Sequence, residues 1–241
     1  MTVQIPENTS KNTHNVVAEL LLAEQDIKRV LDIPSGAGAF TKRLLDKGIE
    51  VHSCDIENIL QVENPNFGTG DMNEPLPYED NYFSAVVCID GIEHLENPFL
   101  FVREACRVLQ PGGVFIISTP NASALRSRWR FLLTGHHNKC KLPLNEAEPT
   151  PLHHINMMPF HRLRYILHST GFQLDQVSTN RVKGISYVYF WLYPFARLFS
   201  LLVYSREKNT GQRTRNKTIL KQMYSMPVAF GETLIVKARK P

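Results

Sequence analysis

Four short stretches hold the residues whose types and spacing could do chemistry. LDIPSGAGAF (31–40) sets Asp32 ahead of Pro34, Gly36 and Gly38, straight after an apolar run. Glycines between a strand and a helix let the backbone approach a ligand, and the N–H groups there suit an anion or a carboxylate. Asp55, followed by Ile56, ends the run EVHSCDI (50–56), where nucleotide-binding folds place an acid for both ribose hydroxyls. GDM (70–72) offers Asp71 as an acceptor for an adenine amino group and Met72 as a surface for the ring. Histidine moves protons near neutral pH, and His94, His153 and His154 are the candidates for that work. His161 reads as a helix-face residue.

Two cofactors compete for the glycine loop. The dinucleotide fingerprint GxGxxG, read from Gly36 and Gly38, needs a third glycine where Thr41 stands. The pattern acidic-x-G-x-G-x-G takes Asp32, Gly36 and Gly38 but meets Pro34 at its first glycine. Proline fixes φ near −65° and has no N–H, so close approach falls to the two glycines. Asp55 fits either cofactor. No metal is assigned: Glu93 and His94 are adjacent, and no HxxH or further His/Asp cluster accompanies them.

These residues must be positioned by regular elements. Apolar spacing predicts a helix over 15–28, a strand at 29–33, a helix over 38–48 and strands at 50–56, 82–90 and 114–119. Helices follow over 97–109 and 158–172, the latter stopped by Gly171, then strands near 172–178 and 232–240. Strands alternating with helices imply α/β architecture with a parallel, doubly wound sheet. The 241 residues, 27 basic and 23 acidic, give a net charge of +4, too mild to point to nucleic acid. No disulfide framework is read from the four cysteines, and no signal-peptide pattern from residues 1–15, so a cytoplasmic protein is expected.

In these motifs, in this order, each after a predicted strand, the chain resembles the class I S-adenosylmethionine-dependent methyltransferases. The small-molecule branch that includes the ubiquinone-biosynthesis O-methyltransferases is the nearest in pattern. The resemblance covers about residues 15–120 and resumes at 153–172. It implies a Rossmann-like, seven-stranded, mostly parallel sheet of order 3-2-1-4-5-7-6 with an antiparallel last strand. It further implies S-adenosyl-L-methionine as cofactor: Asp32, Pro34, Gly36 and Gly38 at the methionine end, Asp55 and Ile56 at the ribose, Asp71 and Met72 at the adenine, Ile89 and Asp90 as a floor beside the sulfonium. The reaction expected is O-methylation of a small-molecule or of a lipid- or glycan-linked acceptor, with N- or C-methylation as the alternative. An NAD-dependent oxidoreductase and a non-catalytic, membrane-associated SAM-binding protein are the competing classes.

One domain is expected over 1–241, with helical insertions at about 120–157 and 181–230. The first is loop-like and basic, with RSRWR (126–130) and HHNKCK (136–141), and suits a phosphate on the acceptor. In the second, helical spacing over 185–204 puts Ser186, Tyr189, Tyr193, Arg197, Ser200 and Tyr204 on one polar stripe. Val188, Trp191, Leu192, Phe195, Leu198, Phe199 and Leu202 share the opposite face, and basic residues flank the segment. Over 185–217 that pattern fits the anionic inner face of a membrane, a substrate lid or a homodimer contact.

Overall fold

The computed structural model describes residues 5–140 and 142–241. Along the chain run α1 (Thr13–Leu22), β1 (Arg29–Asp32), α2 (Ala39–Leu45), β2 (Glu50–Asp55), β3 (Phe67–Thr69) and β4 (Phe83–Cys88). Then come α3 (Pro98–Val108), β5 (Leu109–Pro120), α4 (Leu125–Thr134), α5 (Phe160–Ser169) and β6 (Gln173–Thr179). The chain ends with α6 (Leu192–Ser205), α7 (Thr210–Met223), α8 (Met226–Phe230) and β7 (Thr233–Arg239).

The seven strands form one sheet in the order β3-β2-β1-β4-β5-β7-β6, as the resemblance implies. β1 to β5 pair in parallel, and β7 is antiparallel to both β5 and β6. Side chains alternate across the sheet with period two. Leu31, Val86, Phe115 and Ile117 face a core closed by α3 and α5, while Val30, Ala85, Val87 and Ile116 face one closed by α1 and α2. Burial on both faces accounts for the almost continuous apolar character of β4 and the later half of β5.

Three expectations change. β5 begins at Leu109, which pairs with Phe83 before an irregularity resets the register to Ala85 opposite Val114. The 120–157 segment is not all loop, because α4 occupies part of it; Lys141, in the basic HHNKCK run, lies outside the described residues. The 185–204 segment is not one helix either. A 3-10 turn at Gly184–Tyr189 precedes α6, so the segment is divided between two helical forms. Proline at 194 sits in the first turn of α6, where its missing N–H costs nothing.

Candidate active site

The parallel strands end together at their C-terminal edge, the edge on which open α/β sheets bind ligands. A cavity of about 110 Å³ opens there, lined by Ile33, Pro34, Asp55, Ile56, Asp71, Met72, Gly91, His94 and Leu95, with Pro151 and Leu152 overhanging it. Residues from three of the four motifs thus share one cleft with Pro34. The site is close-packed from behind. A Cβ on Gly91 would stand 2.5 Å from Pro34 Cδ, so the proline ring and the bare glycine fit together. A Cβ on Gly38, whose φ is +87°, would meet Val62 at 2.6 Å, so only glycine is accommodated there.

The acids divide in role. Asp55 is tied into the glycine loop, accepting from the N–H of Gly36 at 2.8 Å and from that of Ile56 at 2.8 Å. It thereby fixes the distance between the ends of β1 and β2. Asp71 accepts from the Asn73 N–H at 2.8 Å, holding the turn that carries Met72 into the wall. Asp32 lies deeper, 1% exposed, and does not line the cavity. Burial, with help from the charge on Asp55, pushes its carboxyl up to about 7, against the 2.6 Å bond it receives from Thr41. Gly36 and Gly38 stand behind the cleft as backbone supports, and the buried Ser35 Oγ between them and Asp32 has no partner among the described residues.

At the end of β4 the chain turns through Asp90, whose φ of +46° is unusual for a residue with a side chain. Its carboxylate accepts from Ser118 Oγ at 2.6 Å, which joins the ends of β4 and β5. Ile89 is buried beneath. Three residues on, Glu93 is fully buried, accepting from Thr119 Oγ1 at 2.9 Å through Oε2 while Oε1 has no partner among the described residues. Burial, reinforced by the charge on Asp90, drives its carboxyl well above the usual range.

Beside it His94 lies 3.0 Å, through Nδ1, from the carbonyl oxygen of His153. Donation from Nδ1 leaves Nε2 as the ring's lone-pair nitrogen. Burial lowers the pKa of His94, so the ring is neutral at pH 7. His154 packs edge-on against it with centroids 4.8 Å apart, also held neutral chiefly by burial. His153 contributes its backbone and turns its ring away, toward the Glu148 carbonyl at 3.3 Å. Glu93, His94 and His154 each offer a ligand-type atom, all within 4.8 Å of one another. One carboxyl and two imidazoles are gathered here, and they are the residues that could hold a divalent cation.

Sequence reasoning left Glu93 and Leu152 out of the site. Glu93 carried a signal, a lone acid between apolar Ile92 and the candidate base His94. Leu152 carried none, since the loop that brings it over the cleft has no periodicity.

The family described as a methyltransferase domain matches residues 7–177, and the chain belongs to it. A ubiquinone biosynthesis O-methyltransferase of Psychrobacter arcticus is 30% identical over 120 residues, covering 45% of this chain and 46% of that protein. A demethylmenaquinone methyltransferase of Beutenbergia cavernae is 30% identical over 115 residues, covering 44% of this chain and 48% of that one. The chain spans about half the length of these curated relatives. Among solved structures, a SAM-dependent methyltransferase from Archaeoglobus fulgidus aligns with a TM-score of 0.57 at 19% identity over 94% of this chain and 92% of its own, a likeness of fold. That membership favours the S-adenosylmethionine reading of the cleft over the oxidoreductase one.

The lining fits that cofactor. Carboxylates at Asp55 and Asp71 suit hydroxyl and amino donors, Ile56 and Met72 suit an aromatic base, and Ser35 Oγ awaits a partner near the loop.

Proposed function

We propose that this methyltransferase methylates an oxygen of an acceptor presented at an anionic membrane surface. The observation that supports it is the outer face of α6 and the turn before it. Trp191, Phe195, Leu198, Phe199 and Leu202 are each more than half exposed, and no residue of α6 is buried. A contiguous exposed apolar face of this kind marks a binding surface. Around it the segment 181–223 carries nine Lys and Arg against the single acid Glu207. Arg197, Arg206, Lys208, Arg213, Arg215 and Lys217 are all exposed. Apolar side chains rimmed by cations complement an anionic bilayer surface rather than a second copy of the same basic face. Among the described residues no helix is long and apolar enough to cross a membrane, so the contact proposed is a surface one.

Bound SAM supplies an electrophilic methyl group at its sulfonium. Asp55 and Ile56 would hold the ribose, and Asp71 and Met72 the adenine. Asp32 and the Pro34–Gly38 loop would set the height of the methionine end. His94 would accept the acceptor's hydroxyl proton at Nε2, its Nδ1 held by the His153 carbonyl and its ring packed against His154. Pro151 and Leu152 would cover the cleft. Oxygen as the acceptor atom is supported by the quinone-pathway O-methyltransferase among the relatives and by a neutral imidazole at the cleft.

The test incubates the protein with methyl-labelled SAM and either a lipid extract or the matching aqueous metabolite pool. Label is expected in an alkali-stable ether of a lipid-phase product. Label confined to the aqueous pool would remove the membrane reading, and label on nitrogen or carbon would remove the oxygen.

A further inference from the structure

A second cavity, of about 130 Å³, lies where β5 ends and β7 begins. Three cations line it, Arg126, Lys139 and Lys183, with Asn121, Ser127 and Asn138 as neutral polar neighbours and Glu232 as the lone acid. The Glu232 side chain is 8% exposed and is already oversubscribed: Lys183 lies 2.5 Å away, Arg181 2.7 Å and Lys139 3.4 Å. Arg126 has no carboxylate partner among the described residues. Three cations thus share one carboxylate, and Arg126 lines the same partly enclosed pocket, where like charges repel more than at an open surface. An anion seated among them would relieve that repulsion and accept from their N–H groups.

The pocket also adjoins the chemistry. Asn138 and Lys139 line a neighbouring hollow together with His153, His154 and Leu152, and Leu152 is the residue that overhangs the cofactor cleft. Lys139 lines both hollows, so the cationic pocket and the hollow that holds His153 and His154 share a wall residue. On its other side the pocket is walled by Ser186, from the turn at the base of the exposed apolar face.

We propose that the acceptor carries a phosphate or diphosphate close to the methylated atom, and that Arg126, Lys139 and Lys183 hold it. This rests on the methyl-transfer reading above and narrows the acceptor's class. A lipid-linked diphosphate and a soluble phosphorylated metabolite present the same group to the pocket.

The test is titration calorimetry with inorganic pyrophosphate on the full chain, wild type against Arg126→Gln and Lys183→Gln, with the exposed Lys208→Gln as control. SAM affinity and melting temperature report that each variant is folded. Saturable pyrophosphate binding is expected, weakened at least tenfold in Arg126→Gln and Lys183→Gln and unchanged in Lys208→Gln. Absence of saturable binding, or equal affinity in all four proteins, overturns the proposal. A second arm recovers the labelled product and asks whether phosphatase or mild acid releases phosphate from it. Phosphate on a lipid-phase product or on an aqueous one supports the subsite and tells the two sources apart. A phosphate-free product overturns it while leaving methyl transfer standing.

Discussion

Two helices of similar amphipathic pattern, α3 and α6, are turned opposite ways. In α3, Phe101, Val102, Ala105 and Val108 face the sheet and are fully buried, and charged Arg103 and Glu104 face outward or edge the surface. In α6 the apolar residues face out. The hydroxyls of the polar stripe turn inward while its Arg197 is exposed: Tyr193 donates to the Tyr224 carbonyl at 3.0 Å, Ser200 meets the Tyr224 hydroxyl at 2.8 Å, and Tyr204 reaches Met223 Sδ at 3.0 Å. Periodicity tells which residues share a face. Which face is buried depends on what the neighbours can satisfy, and here Tyr224 and Met223 offer partners to hydroxyls. A helix that keeps hydroxyls inside and rings outside is held to its own fold by a few hydrogen bonds, and leaves its apolar surface for something else.

The largest break in this comparison comes at α3. Phe101→Ala removes a fully buried ring that packs edge-on against Phe115 with centroids 6.0 Å apart. The variant should lose about 3–5 kcal/mol in urea unfolding, the usual cost of a cavity of that size. A loss under about 1 kcal/mol would mean that α3 is no more embedded than α6.

A titratable group sharpens the contrast next. His14, on the well-buried α1, is 4% exposed and stacks edge-on with Phe40. Burial, with the nearby Arg43 charge adding, pushes it down to about 4 from an ordinary 6.5, and Glu7 at 3.7 Å is too exposed to reverse this. A base whose folded pKa is depressed contributes stability that is complete above pH 6.5. That contribution, up to about 3 kcal/mol, is lost as the pH falls from 6.5 toward 4. His14→Leu should flatten this part of the stability profile. If the two profiles run parallel from pH 7.5 to 4.5, His14 is not the group that titrates.

Much of the fold was legible because the sheet obeys simple rules. Apolar runs buried on both faces read as strands, and acids ending them, Asp55 and Asp90, mark the cleft edge. The cleft was legible at Asp55, Asp71, Met72 and His94 for the same reason: strand ends are fixed by pairing, so side chains just beyond them are fixed too. Asp32 shows the limit, since the motif gives its position in the chain but not that Thr41 and burial take its carboxylate out of the cavity. Leu152 marks a second limit. It arrives over the site on a loop whose path is set by tertiary contacts such as the Glu93 carbonyl accepting from Asn156. Composition along the loop carries no trace of that bond.

The inward stripe of α6 can be tested at its anchor. Tyr224→Phe deletes the hydroxyl that donates to the Ala196 carbonyl at 2.6 Å and meets Ser200 at 2.8 Å. A loss of about 1–2 kcal/mol is expected, together with faster hydrogen exchange along α6 and little change in the sheet. Exchange that accelerates equally in β4 and β5 would show that α6 opens only with the whole domain.

The smallest expected effect on stability separates the two faces most clearly. Phe199 is 65% exposed, on the outer surface of α6. Since its ring is already largely in water, Phe199→Ser should change unfolding stability by no more than about 0.5 kcal/mol. The same substitution removes apolar area from the face proposed to meet a membrane, so co-sedimentation with anionic vesicles should fall several-fold, and further in the pair Leu198→Ser/Phe199→Ser. A matched loss on neutral vesicles would assign the contact to apolar insertion without a share from the basic rim. Unchanged sedimentation, with a shift from dimer to monomer instead, would turn the outward rings of α6 into a contact between two copies of the chain. Stability has little to say about that choice, because a side chain that contributes almost nothing to the isolated fold can still decide where the fold binds.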